Sequence, residues 1–242
     1  METFADRLLT IQTEIDSAAA RAGRSLSEVT LVAVSKTHPP ESIAEALGAG
    51  QTLFGESRVQ EARAKIPRLP SRARWHFIGH LQKNKLRHAL PLFEMFHGVD
   101  TLELARDFDR IAGECGLFPK ILLEVNVAGE SSKFGFSPAK LRAQMEEILA
   151  LDRVQLRGLT TIAPFATEAE SSRPHFAALR ELREALQTEY RVSLPDLSMG
   201  MSGDFAVAVE EGATIVRVGT ALFGSRRGKG WRPAAEGGTF DD

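Results

Sequence analysis

The residue that most invites chemistry is Lys36, which follows a short apolar run rich in β-branched residues, Val29–Val34. A lysine desolvated at such a strand end has a lowered pKa and a nucleophilic amine, the property that imine formation with an aldehyde requires. The plainer alternative is a loop lysine whose head reaches solvent. Two glycine-bearing turns near the other end of the chain, Met199–Gly203 and Gly219–Thr220, each run into a helical pattern. Turns of this kind aim several backbone N–H groups at one point and bind phosphate. Gly203 and Gly219 permit close backbone approach, Gly200 belongs to the first turn, and Ser202 and Thr220 supply hydroxyls. Glycine turns also occur simply because strands must join helices.

Arg217 stands two residues before Gly219. Pointing inward, it faces either a ligand ring or an interior carboxylate. Beside a pyridine nitrogen, a guanidinium keeps that nitrogen unprotonated, because a second positive charge is disfavoured there. A lysine for an aldehyde, a phosphate cup across from it and an arginine between them together suit pyridoxal 5′-phosphate.

These residues need a frame. Strand patterns start near residues 29, 52, 75, 95, 119, 154, 196 and 214, each followed by a helical pattern, and one more helix runs from Phe4 to about Ala22. Eight such units favour an α/β fold, a single closed (β/α)8 TIM barrel with an additional N-terminal helix, over an open doubly wound sheet. Ligands in such barrels bind where the C-terminal strand ends open into loops. Lys36, Ser57, His76 to His80, Asp100, Asn126, Ser131–Lys133, Ser202 and Arg217 all fall at those points. One barrel domain over 1–224 is expected. The stretch 225–242, with basic residues and glycines and little apolar content, is expected to be weakly ordered.

Composition narrows the function classes. Of 242 residues, 43% are hydrophobic and 26% charged, and 30 basic against 32 acidic side chains give a net charge of −2. That balance gives no reason to expect dedicated nucleic-acid binding. A local bias, nine Lys/Arg against Glu61 alone between Ser57 and Leu90, reads as solvated helix faces rather than a polyanion site. Cys115 is the single cysteine, so no intrachain disulfide forms and a reducing, cytoplasmic location is expected. No apolar run approaches the ~18 residues of a membrane span, and the first residues lack a signal-peptide pattern. No metal site is expected from Cys115 or from His76 and His80, which have no evident carboxylate pair. A monomer or weak dimer is anticipated.

The stretches LVAVSKTHP (31–39), FGESRVQEA (54–62), WHFIGHLQKNK (75–85) and HGVD (97–100) are followed by EVNVAGESSKFG (124–135), LSMGMSGDF (197–205) and VRVGTALFGSR (216–226). In that order they resemble the pyridoxal phosphate homeostasis protein family, which shares a fold-type III barrel with alanine racemase. The resemblance implies a carrier or regulator that holds pyridoxal 5′-phosphate as a Schiff base on Lys36 and buffers or delivers it to apo-enzymes. It places Ser202, Gly219, Thr220 and Gly200 at the phosphate, Arg217 at the ring nitrogen, and Ser57 and Ile78 near the cofactor. The family usually reads FGEN where this chain has FGES, so Ser57 replaces an amide with a hydroxyl. The alternative is a pyridoxal-phosphate-dependent amino-acid racemase or lyase, with His38, His76 or His80 as second base. Relatives that racemise use a tyrosine from an extra domain. The one tyrosine here, Tyr190, lies near the end of a long helix away from any strand's C-terminal end, so no catalytic residue is assigned.

Overall fold

The computed structural model describes residues 2–130, 134–224 and 231. After helix α1 (Phe4–Arg21), strands and helices alternate: β1 (Thr30–Val34), α2 (Pro40–Gly48), β2 (Leu53–Glu56), α3 (Val59–Lys65), β3 (Arg74–Phe77), α4 (Leu86–Ala89), β4 (Met95–Val99) and α5 (Leu102–Cys115). The second half continues with β5 (Lys120–Glu124), α6 (Pro138–Leu149), β6 (Gln155–Thr160), α7 (Arg173–Tyr190), β7 (Asp196–Ser198), α8 (Phe205–Glu210), β8 (Ile215–Val218) and α9 (Thr220–Phe223). Each strand pairs in parallel with the next, and β8 pairs with β1 through Val32↔Arg217 and Ala33↔Val218, closing the barrel.

Side chains alternate across each strand, so one set fills the barrel and the other meets the helices. Val32, Leu53, Met95, Leu122 and Ile215 form a separate buried cluster inside. Ala33, Phe54, Phe77, Phe96, Leu123, Leu197 and Val216 belong to the larger core between sheet and helices. Helix α1 starts at Thr3, whose side chain accepts from the Asp6 N–H in a reciprocal capping box. It buries Phe4, Leu8, Ile11 and Ile15, and Phe4 meets Phe223 of α9 at 5.1 Å. The additional helix thus backs the end of the chain that carries the Gly219 turn.

Two of the helical segments are irregular where they begin. The stretch Leu81–Ala89 is a 3-10 turn, Lys83–Lys85, followed by the single turn of α4. Gln82 to Lys85 offers no apolar face to bury, so only Leu86 and Ala89 anchor it. The long helix α7 is preceded by a 3-10 turn, Ala169–Ser172, and Pro174 in its first turn sets its beginning. The expected weakly ordered stretch 225–242 lies outside the described residues except for Trp231. Among the described residues, no helix is long and apolar enough to cross a membrane.

Glycine is required where strand ends touch backbone to backbone. A Cβ at Gly158 of β6 would lie 1.8 Å from the Asp196 carbonyl oxygen of β7. At the mouth, a Cβ at Gly79 would lie 2.5 Å from the Ser57 carbonyl oxygen, and one at Gly98 2.4 Å from the Gly79 carbonyl oxygen. Since the obstacle at Gly158 is a neighbouring main chain, Gly158→Ala is expected to cost about 3 kcal/mol or more. Denaturant unfolding would read this directly, and a loss under about 1 kcal/mol would contradict it.

Candidate functional site

At the C-terminal mouth of the barrel a cavity of about 510 Å3 opens, lined by Lys36 and Val34 beyond and within β1, Ile78 after β3, the loop after β6, the turn after β7, Arg217 of β8, and Gly219 and Thr220. Six predicted residues therefore share one cavity: Lys36, Ile78, Ser202, Arg217, Gly219 and Thr220. The two glycine turns form one unit, because Ser202 Oγ accepts from the backbone N–H of Gly219 at 3.2 Å and of Ala221 at 3.3 Å. With both contacts donated to it, the Ser202 hydroxyl keeps its own hydrogen to offer an anion.

Two predicted residues fall outside this lining. The backbone of Ser57 packs against Gly79, on the neighbouring part of the mouth. Gly200 lies behind the cup: its carbonyl accepts from the Arg217 N–H at 3.0 Å, and a Cβ there would lie 2.6 Å from the Ala208 Cβ. Gly200 is thus a packing requirement of the turn. Ser131–Lys133 lie outside the described residues.

Lys36 differs from expectation in a second respect. It is exposed, not desolvated by protein, because β1 ends at Val34 and Ser35 is the last residue buried in that run. The Ser35 carbonyl accepts from His38 N–H at 3.0 Å, so Lys36 and Thr37 are the central residues of a tight turn. Thr37 has φ 67°. That is the position where such turns favour glycine, and a β-branched residue there carries strain of roughly 1–3 kcal/mol.

Arg217 is buried inside the barrel and, among the described residues, meets hydroxyls and carbonyls rather than an ion-pair partner. Its Nη1 donates to Thr160 Oγ1 at 3.0 Å, the Ser198 carbonyl at 2.9 Å and Ser198 Oγ at 2.5 Å, and its Nη2 donates to the Thr161 carbonyl at 2.9 Å. Burial pulls its pKa down to about 10, with Glu124 and Asp204 opposing, so it stays cationic at neutral pH. From Ser198 the network continues: Ser198 Oγ lies 2.9 Å from His97 Nδ1, and His97 Nε2 lies 3.0 Å from His76 Nδ1. Burial lowers His76 to about 4, and burial with the nearby His76 and Arg217 lowers His97 well below its usual value. Both imidazoles are therefore neutral spacers. Glu124 is pushed up by burial and by Asp100, while Arg217 and His80 oppose.

The sequence reading did not single out Thr160, Thr161, Ser198 or His97 as partners of Arg217. Strand parity was the available signal, since Thr160, Ser198 and His97 occupy inward positions on β6, β7 and β4. The other two histidines weighed as a second base are engaged: His80 Nδ1 meets Asp100 Oδ2 at 2.9 Å, and His38 stacks on Phe223 at 4.7 Å. Tyr190 donates to the Arg142 carbonyl at 3.1 Å, tying α7 to α6.

The family described as "Alanine racemase, N-terminal domain" matches residues 8–227. The pyridoxal phosphate homeostasis protein of Aquifex aeolicus (strain VF5) is 45% identical over 223 residues, covering 92% of this chain and 98% of that one. The chain belongs to the pyridoxal phosphate homeostasis protein family. The family member from Escherichia coli (strain K12) is 40% identical over 234 residues, 93% of this chain and 98% of its own. Among solved structures, PipY of Synechococcus elongatus PCC7942 with PLP bound aligns with TM-score 0.81 at 42% identity, over 92% of this chain and 100% of that chain. Alanine racemase of Clostridium difficile 630 aligns with TM-score 0.70 at 15% identity, over 94% of this chain and 59% of that one, and shares the fold.

In this member of the family the neutral His76 sets an acid limit. Its folded pKa lies below its unfolded value near 6.5, so its contribution is intact above pH 6.5 and is lost as pH falls toward 4. The loss attributable to His76 is on the order of 3 kcal/mol. His76→Gln is expected to flatten the stability profile between pH 6.5 and 4 relative to wild type, measured by urea unfolding. Parallel profiles would show that His76 does not carry the effect.

Proposed function

We propose that this chain binds pyridoxal 5′-phosphate in the cavity at the barrel mouth and buffers or delivers it to apo-enzymes. The observation that carries the reading is the placement of the Lys36 side chain, the paired Ser202 and Gly219 turns and the Arg217 guanidinium on one cavity. The residues fit the group. A volume of about 510 Å3 lies within the range of small-molecule sites. Around Gly203 a Cβ would meet nothing within 4 Å, so the cup has open space for an anion.

When bound, the cofactor supplies an aldehyde that reacts reversibly with amines. Lys36 would hold the cofactor through its amine. The hydroxyls of Ser202 and Thr220 and the backbone at Gly219 would hold the phosphate, and Ile78 would lie near the ring. Arg217, cationic and held by four hydrogen bonds, would disfavour a proton on the ring nitrogen. That weakens the ring as an electron sink and supports a carrier rather than a racemase. The engagement of Tyr190 with the Arg142 carbonyl supports the same reading, because that hydroxyl is spent between two outer helices. The naming of the curated relatives as homeostasis proteins agrees with it.

Incubation of the protein with pyridoxal 5′-phosphate is expected to give visible-edge absorbance that borohydride bleaches, with the added mass mapping to Lys36. Lys36→Ala should lose both; retention of the absorbance would refute the assignment. In the loaded protein, α-proton exchange of D- and L-amino acids in deuterated water should stay near the rate of the free cofactor. Exchange at enzyme-like rates of about 1 per second or more would favour the racemase or lyase alternative.

A further inference from the structure

Lys65, the last residue of α3, is fully buried, which is rare for a lysine. Its Nζ reaches Glu56 Oε1 at 2.9 Å, Glu61 Oε2 at 3.1 Å and the Ser35 carbonyl at 3.1 Å. Ser35 Oγ donates to the same Glu56 oxygen at 2.7 Å. Glu61 Oε2 in turn accepts from the Thr37 N–H at 3.0 Å. Three of these bonds involve Ser35 or Thr37, the residues on either side of Lys36.

The other face of the turn is held from the far end of the chain. The Trp231 backbone N–H donates to the Thr37 carbonyl at 2.8 Å, and its ring lies 5.1 Å from Lys65 Nζ. Thr37, at φ 67°, therefore has its N–H fixed by Glu61 and its carbonyl fixed by Trp231. Strained conformations persist only where their surroundings over-determine them. A cation without this duty is poorly explained at full burial, since an apolar residue of similar length serves packing at least as well.

We propose that Lys65, Glu61 and Trp231 are positioning residues: they clamp the left-handed Thr37 turn and so hold the Lys36 amine toward the cavity. Lys65 and Glu61 fix the turn from the barrel side, and Trp231 closes it from outside. This rests on the reading that Lys36 is the attachment point. The hydrogen bonds of the clamp go to Ser35 and Thr37, whereas the Ser202 and Gly219 turns are joined to each other through Ser202 Oγ, so the two are held separately although Gly219 packs beside Val34.

The test separates attachment from binding in the full-length protein. Trp231→Pro removes both the N–H and the ring at a half-buried position, and urea unfolding checks that the variant stays folded. Trp231→Phe keeps the N–H and an aromatic ring. Attachment is followed by stopped-flow absorbance with pyridoxal 5′-phosphate. Non-covalent affinity is measured with pyridoxine 5′-phosphate, which has no aldehyde. Trp231→Pro should slow attachment about tenfold or more while affinity for pyridoxine 5′-phosphate changes less than about twofold, and Trp231→Phe should restore the rate. Lys65→Met, if it folds, should show the same split.

An attachment rate for Trp231→Pro within about twofold of wild type overturns the clamp. Equal losses in attachment and in pyridoxine 5′-phosphate affinity also overturn it, because a general structural defect would move both. Wild-type protein whose borohydride-fixed mass lies elsewhere than Lys36 overturns the underlying reading instead.

Discussion

A guanidinium inside a closed barrel cannot shed its proton, so the barrel must be built to satisfy it. Arg217 imposes that constraint here. Its partners are Thr160, Thr161 and Ser198, drawn from the ends of β6 and β7, so the side chain of β8 ties three consecutive strand tops together. The two glycine turns begin immediately beyond β7 and β8, and their mutual position follows from that tie. The same cation reaches through Ser198 to His97 and His76, which stay neutral in its field. A polar interior that would be a defect in an inert barrel is therefore a single connected network with its open edge at the cavity.

A second buried cation stands on the other side of the sheet. Lys65 lies between α3 and the first two strands and, with Glu56 and Glu61, supports the turn that carries Lys36. Burial pushes Glu56 up to about 7, against the pull of Lys65 and Ser35. Glu61 is held below the ordinary carboxylate range by the Thr37 N–H and Lys65, although burial opposes them. The Lys36 turn and the Ser202 and Gly219 turns thus rest on separate polar networks, one outside the barrel and one inside it.

Much of this was legible in the sequence because barrel strands are short apolar runs separated by helical periods. The eight starts near residues 29 to 214 match the eight strands, and the polar residues just beyond them mark the mouth. The lining role of Lys36, Ile78, Ser202, Arg217, Gly219 and Thr220 was readable from position along the strand. The exposure of Lys36 was not, because it depends on Thr37 adopting a backbone conformation that threonine rarely takes. The glycine turn at Gly200 was readable, but the limit that Ala208 and Phe205 set on it was not, because that contact is made only once α8 folds back. Lys65 looked like one of several basic residues on a solvated helix. Its Glu61 partner at i−4 was visible, but full burial came from packing against Glu56 and Ser35, which no local pattern encodes.

The backbone contacts among Ser57, Gly79 and Gly98 divide the mouth into two unlike halves. Beside Ile78, the ends of β2, β3 and β4 meet main chain against main chain at Ser57, Gly79 and Gly98, with no room for a Cβ at either glycine. Across from it, Ile162, Phe165 and Met201 present exposed side chains from the loops after β6 and β7. Side-chain substitutions at Ile162, Phe165 and Met201 meet solvent, whereas any side chain at Gly79 or Gly98 meets a neighbouring main chain. Divergence among such barrels at these positions is therefore open on the β6–β7 side, while the glycines of the β3–β4 side act as a fixed jaw.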